Sequence, residues 1–259
     1  MFLIKLGGSI ITDKGKEYTF RKEKMDRLSS EIKDADKEVI IVHGAGSFGH
    51  ILAKKHSLNQ GYKLKSQLNG FSETQYMVQK LNSFVLSSLQ DKGIAAVSIP
   101  PHVILQLDNH NLFKIDYSIF DEYLKKGFTI VTFGDVTLDK TLGFSICSGD
   151  LLMQLLAEHF KPEKVLFVID EDGIFTSNPK IDKNAKLIEE ITFDELENLT
   201  TIADEHADVT KGMEGKIETI KNISQLNIDT ILLNGNINNR LFDTLIGKKT
   251  KNTVVYGER

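Results

Sequence analysis

A single cysteine, Cys147, stands in 259 residues. One thiol cannot close an internal disulfide, and it cannot build a cysteine-rich zinc site. Long apolar runs are missing too: none approaches the roughly 20 residues that cross a bilayer. The opening apolar stretch, Met1 to Leu6, is too short for a secretory leader. Nor does the chain carry an excess of positive charge. Its net charge of −4 offers no global basic field to attract nucleic acid, although basic residues can still gather locally around an anionic ligand. Only four prolines occur, and the adjacent pair Pro100-Pro101 is a local break rather than a domain boundary. Internal repeats, low-complexity tracts and long linkers are absent. The expectation is a cytoplasmic globular protein with no nucleic-acid and no membrane partner.

What is present is ordinary for such a protein, with 41% hydrophobic and 26% charged residues. The length permits one large α/β domain or two small lobes, with a substantial core. Short apolar runs predict strands at 2–6, 38–43, 94–99, 128–133, 164–169 and 229–233. Their near-continuous apolar character suits burial on both faces, and so largely parallel pairing. Helices are predicted at 21–35, 47–57, 71–92, 116–126, 149–160, 192–198, 213–226 and 238–246. Val78, Leu81, Val85 and Leu89 recur at helical spacing, as do Met213, Ile217 and Ile220. A polar ribbon around Thr137–Phe144 reads as a hairpin outside the main sheet. Alternating strands and helices imply an α/β sheet layered with helices, shared by both halves of the chain.

Two glycine-rich turns follow strand candidates. One is Lys5-Leu6-Gly7-Gly8-Ser9; the other is His43-Gly44-Ala45-Gly46-Ser47-Phe48-Gly49-His50. Glycine lets backbone amides approach an anion closely, and a helix opening there adds its positive dipole end. Two phosphate cradles suggest a donor and an acceptor phosphate, the outline of a phosphotransferase. Gly44-x-Gly46-x-x-Gly49 formally matches the dinucleotide fingerprint, but no strand-end acid follows about 20 residues on. The Walker pattern of glycines before Lys-Ser/Thr is also missing. Other landmarks follow strand candidates or open helices: Gly134-Asp135, Ser148-Gly149-Asp150, Asp170-Glu171-Asp172-Gly173 and Lys211-Gly212-Met213-Glu214-Gly215-Lys216. In an open α/β sheet, ligands gather beyond the carboxyl ends of the strands, so most of these features point to one rim.

This ordered set resembles the amino acid kinase superfamily. Lys5-Leu6-Gly7-Gly8-Ser9, Gly134-Asp135, Ser148-Gly149-Asp150, Asp170-x-Asp172-Gly173 and Asp208-Val209-Thr210-x-Gly212-Met213-x-x-Lys216 all fit its pattern. The run from His43 to His50 resembles the archaeal-type isopentenyl phosphate kinases within it. The resemblance spans essentially the whole chain and implies a single αβα-sandwich domain over 1–259 with a largely parallel central sheet. It also implies an acceptor side mainly in 1–135, a nucleotide side mainly in 136–259, and commonly a homodimer. The implied reaction joins ATP and isopentenyl phosphate to give ADP and isopentenyl diphosphate, in an archaeal-type mevalonate route. Another small phosphate, phosphonate, carboxylate or nucleotide monophosphate acceptor is the nearest alternative, and a nucleotide-binding module without turnover is a more distant one.

By the same resemblance, Lys5 and Lys216 flank the transferring phosphoryl group, and Asp150 holds their ammonium groups in place. Locally, Asp150 has a second reading as the cap of the helix that follows. Gly7, Gly8 and Ser9, following Leu6, supply amides to the ATP phosphates. Gly46 faces the γ-phosphate, and Gly212 keeps the helix mouth open near the β-phosphate. Asp170 and the segment Phe175-Thr176-Ser177-Asn178-Pro179-Lys180 cradle the nucleotide, with Lys14 as another phosphate-reaching lysine. Mg²⁺ accompanies ATP, bound by phosphate oxygens and water, and no protein residue is assigned to metal. A phosphate monoester is mostly dianionic near neutral pH, its second pKa being about 6, so the acceptor needs no general base. His50 then donates a hydrogen bond to the acceptor phosphate, with Ala45 and Gly149 adding backbone contacts. Phe71, Tyr76, Val78 and Ile146 are the candidates for an apolar pocket around the prenyl tail. Cys147 reads as a small packing residue. Lys211 departs from the pattern, standing where the family usually has glycine.

Overall fold

The computed structural model describes residues 1–13, 15–196 and 211–259, the side chains of 211–214 excepted. The first half runs β1 (Phe2–Leu6), α1 (Gly8–Ile11), α2 (Lys22–Ala35), β2 (Val39–His43), α3 (Gly46–Lys55) and α4 (Gln67–Gln90). Next come β3 (Ala96–Ser98), α5 (Pro101–Ile104), β4 (Leu105–Asp108), β5 (Asn111–Ile115), α6 (Ser118–Lys125) and β6 (Thr129–Phe133). The hairpin β7 (Asp135–Asp139) and β8 (Gly143–Cys147) leads to α7 (Gly149–Phe160) and β9 (Lys164–Ile169). Three two-residue strands follow: β10 (Ile174–Phe175), β11 (Leu187–Ile188) and β12 (Glu190–Ile191). The described chain closes with α8 (Lys211–Ser224), β13 (Thr230–Asn234), α9 (Arg240–Leu245) and β14 (Asn252–Val255).

Eight strands form the main sheet in the order β12-β14-β13-β9-β1-β2-β6-β3. Every pairing is parallel except β13 with β14. Side chains alternate between its two faces, as strand geometry requires. On one face Leu3, Ile40, Val42, Val165 and Phe167 join Leu152 and Leu156 of α7 and Ile217 and Ile220 of α8. On the other, Ile4, Leu6, Ile41 and Leu166 join Met25 and Leu28 of α2, Leu81 and Val85 of α4, and Leu241 of α9. The result is the expected three-layer αβα sandwich. Apolar periods read from sequence map onto it directly, because strands buried on both faces carry no polar alternation to confuse them.

Three corrections concern elements. The ribbon at 137–144 is not alone: β4 and β5, which no apolar run announced, join β7 and β8 in a four-stranded sheet ordered β5-β4-β7-β8. Asp139 ties it together. Its buried carboxylate accepts backbone N–H groups from Asn109, His110, Thr141 and Leu142 and the Ser145 hydroxyl. Burial works against that charge, yet the hydrogen bonds hold its pKa at about 2. The long helix α4 begins at Gln67 rather than 71, because Gln67 organises the preceding loop. Its Oε1 accepts from Lys63 and Leu64 N–H, and its Nε2 donates to the His56 and Gly61 carbonyls. The strand β14 lies beyond the last predicted element. Of the helix expected at 192–198, residues 197 and 198 lie outside the described residues.

The topology gathers the glycine turns. β1, β2, β6, β9 and β13 are parallel, so they all end on the same rim. There they hand over to Gly7, Gly44, Gly134, Asp170 and Gly235 respectively.

Candidate active site

The two glycine turns touch each other through their backbones. A Cβ on Gly8 would lie 2.7 Å from the Gly46 N and Cα atoms, and one on Gly44 would lie 2.8 Å from the Gly8 nitrogen. No side chain fits between them. Gly134 closes the same cluster: a Cβ there would meet the Gly149 nitrogen at 3.2 Å and the Ala45 nitrogen at 3.7 Å. Five of the glycines singled out above therefore share one small space, which the sequence spacing alone does not reveal.

Beside them, Lys5 points from β1 across the ring of Phe167 on the neighbouring strand β9. Its ammonium lies 2.5 Å from Asp150 Oδ1, and the Lys216 ammonium lies 3.9 Å from the same oxygen. Both ammonium groups sit over Phe167, at 5.7 and 5.9 Å from the ring centre. One carboxylate thus gathers two cations over an aromatic floor. Lys5 is only 7% exposed. Burial lowers its pKa to about 8 against the pull of Asp150, and Lys216 adds to the drop. The double reading of Asp150 is resolved here. Ser148 caps α7, its hydroxyl accepting from Leu151 N–H at 3.0 Å, while Asp150 turns to the lysines.

His50 lies on the exposed side of α3, one turn beyond Gly46. Side chains on a helix lean toward its N-terminus, the end at which Gly46 lies. His43, the other histidine of the motif, is wholly buried. It stacks on Phe133 and bonds to the Gly44 carbonyl and the Asn82 amide. Burial pushes its pKa down to about 4, so it is neutral at pH 7 and serves the turn from below. Asp135 is buried as well, paired with His102 at 2.6 Å, and burial raises its pKa. Cys147 is fully buried and its thiol is pushed up by that burial, so it packs and does not react.

On the other side of the rim, the Ser9 hydroxyl donates to Asp170 at 3.0 Å, linking the first turn to the end of β9. Lys180 reaches Glu171 at 2.8 Å and Asp170 at 3.8 Å. Within 175–180 several groups shape the loop itself: Thr176 N–H bonds to Lys186, Ser177 to Asp182, and Asn178 Oδ1 to Lys180 N–H. Asp172 binds Arg240, Lys251 and Asn234, fastening the ends of β9 and β13 together. Gly212 falls in the first turn of α8. Lys14, Asp208, Val209 and Thr210 lie outside the described residues, as do the side chains of Lys211 and Met213.

The apolar candidates divide. Phe71 and Ile146 pack onto a satellite cluster of Ala53, Leu58, Val136 and Phe144, with Phe71 and Phe144 rings 5.0 Å apart. Val78 is buried and would meet a Cβ on Gly49 at 2.8 Å, so it supports α3 from behind. Tyr76 stands apart from these. It is 64% exposed, on the side of α4 away from the buried stripe through Thr74, Val78 and Leu81, and it does not line the cluster. Phe167, Asn82 and His102 carry parts of this arrangement that no motif pointed to, whereas Ser148 opens the Ser148-Gly149-Asp150 motif and had the local signal of a serine before an apolar helix.

Comparison with known proteins agrees with this geometry. The model of the amino acid kinase family matches residues 1–234. The chain is 34% identical to the isopentenyl phosphate kinase of Methanothermobacter thermautotrophicus, with 100% of each chain covered. It is 32% identical to that of Methanocaldococcus jannaschii, with 99% of each covered. An X-ray structure of isopentenyl phosphate kinase superposes with a TM-score of 0.87 at 32% identity, over 98% of this chain and 99% of the other.

Proposed function

The chain belongs to the amino acid kinase family, and on that premise we propose that it transfers the γ-phosphate of ATP to isopentenyl phosphate. The products are ADP and isopentenyl diphosphate, in an archaeal-type mevalonate route to isoprenoids. One observation carries the reading: two lysine ammonium groups converge on a single carboxylate where two glycine turns meet. Transfer between two phosphates brings anions end to end, and the dominant cost is their mutual repulsion. Cations placed between them, and backbone amides aimed at their oxygens, offset that cost where the charge develops.

In this reading the acceptor phosphate rests on the amides of Ala45 and Gly149 and on His50, mainly in the half of the chain before residue 136. Its dianion attacks without a base, and His50 orients it by donating a hydrogen bond. The ATP phosphates rest on the amides of Gly7, Gly8 and Ser9, with Gly46 at the γ-phosphate and Gly212 near the β-phosphate. Asp170 and the 175–180 segment flank the nucleotide. Lys5 and Lys216 approach the transferring group from opposite halves, held by Asp150. The prenyl tail extends toward Phe71 and Ile146. Mg²⁺ bound to ATP would offset phosphate charge, carried by phosphate oxygens and water; Asp150, already committed to two lysines, fits that division of labour. A cytoplasmic homodimer completes the proposal.

The test is incubation with ATP, Mg²⁺ and a panel of acceptors: isopentenyl phosphate, a phosphonate, a carboxylate and a nucleotide monophosphate. Isopentenyl phosphate should show the highest kcat/KM. A higher value for another acceptor would replace the substrate, and nucleotide binding without transfer to any of them would end the kinase reading. His50→Ala should raise the KM for isopentenyl phosphate more than that for ATP; full activity would remove His50 from the acceptor site.

A further inference from the structure

Thr12 takes no part in the steps above, yet it occupies the junction on which they depend. It ends α1, in the first glycine turn, and its side chain is wholly buried. Its hydroxyl donates to the Gly8 carbonyl oxygen at 2.6 Å. Thr12 Oγ1 in turn accepts the backbone N–H of Ser47, in the first turn of α3, at 3.1 Å. The cap residue of α3, Ala45, provides no side-chain hydrogen bond, so the capping of this helix comes across from the other turn.

The fit around the hydroxyl is tight. Gly46 sits at φ +50°, and a Cβ there would lie 2.3 Å from Thr12 Oγ1. Glycine is therefore required twice at this residue, by its backbone conformation and by the threonine beneath it. The direction of the bonds matters as well. The Gly8 carbonyl is held by the Thr12 backbone N–H as well, at 2.9 Å, so what the hydroxyl alone supplies is the bond across to Ser47. Van der Waals contact between Gly8 and Gly46 keeps the turns close, but only a directional bond fixes their relative orientation.

We propose that Thr12 is a positioning residue whose hydroxyl staples the donor turn to the acceptor turn, and so sets the distance and alignment of the two phosphates. This deepens the phosphotransfer reading and rests on it. Each turn can still bind its own phosphate without the staple; their end-to-end alignment is what suffers.

Thr12→Val removes the hydroxyl at nearly constant volume, and Thr12→Ser keeps it. Thr12→Val should leave both KM values within about twofold, while kcat falls about 10- to 100-fold, the scale of a small misplacement of reacting groups. Thr12→Ser should restore kcat. A second readout does not depend on the fraction of active enzyme: ADP formed per isopentenyl diphosphate. It should be about one in the wild type, rise in Thr12→Val as water captures a misaligned γ-phosphate, and return in Thr12→Ser. If Thr12→Val does not fold, Thr12→Ala is judged by the same measurements. Wild-type kcat and an unchanged ratio in the hydroxyl-free variant would overturn the staple while leaving the function standing. An unchanged ratio with equal losses in the valine and serine variants would overturn it too, marking Thr12 as packing alone. A wild-type enzyme that does not phosphorylate isopentenyl phosphate refutes the functional reading instead.

Discussion

Replacing Lys5 by methionine should stabilise the fold while destroying its chemistry. Each unit of pKa displacement corresponds to about 1.4 kcal/mol between protonation states. A lysine held at about 8 instead of 10.5 therefore sets about 3 kcal/mol against its charged form near neutral pH. Methionine removes that charge and retains the apolar stem over Phe167. Asp150 keeps Lys216 at 3.9 Å and remains partly exposed, so its lost partner costs at most about 1 kcal/mol. The balance is about 2 kcal/mol in favour of Lys5→Met, or roughly 4–8 °C in melting temperature for a chain of this size. The sign depends on pH. Between pH 8 and 10.5 the unfolded chain holds this proton and the folded chain does not, so wild-type stability gains with rising pH across that window. Lys5→Met lacks that gain, and its advantage should shrink steadily toward pH 10.5. Paired thermal melts across this range, with phosphotransfer assays alongside, measure both effects. A variant no more stable than wild type near neutral pH, or an advantage independent of pH, would refute the reasoning. Phosphotransfer should fall by about 10²- to 10³-fold or more, as for loss of a preorganised charge-stabilising group.

Three further outcomes follow from the same geometry. Asp150→Asn should lower kcat by about 10²-fold, because two ammonium groups lose the anion that gathers them, with little loss of helix α7, which Ser148 caps; steady-state kinetics and a thermal melt together check this. Gly8→Ala should cost about 1–3 kcal/mol in a denaturant titration and abolish transfer, because its Cβ would lie 2.7 Å from Gly46 backbone and force the turns apart. In the free enzyme, kcat/KM for ATP should decline on the alkaline side with an apparent pKa near 8, that of Lys5, since deprotonation removes the cation. The alkaline limb of kcat should lie higher, because bound phosphates favour the charged form; a pH profile at limiting and saturating ATP separates the two.

Some features were readable before any coordinate. Strands such as Val39–His43 and Lys164–Ile169 announced themselves because a strand covered on both faces must be apolar throughout. The glycine turns stood out for a similar reason, since a backbone that must approach an anion tolerates no side chain, whereas the two lysines were marked by the resemblance to the family. Strands β4 and β5 did not stand out. They lie in a half-exposed sheet whose order comes from Asp139, a single carboxylate contacted by residues up to 30 positions away. The exposure of Tyr76 was not legible either, because an aromatic side chain near an apolar stripe reads the same whether it faces the core or the solvent.

Local chemistry, then, sufficed for the architecture and for the class of reaction, since strand periodicity and the demands of phosphate binding are properties of short segments. Folding added the relations between segments. It gave Asp150 to the lysines and left the capping of α7 to Ser148, and it slid Phe167 beneath both ammonium groups. It also set the hydroxyl of Thr12 between turns that lie 35 positions apart. Such contacts depend on which strands are neighbours and in what register, and no short stretch of residues contains that information.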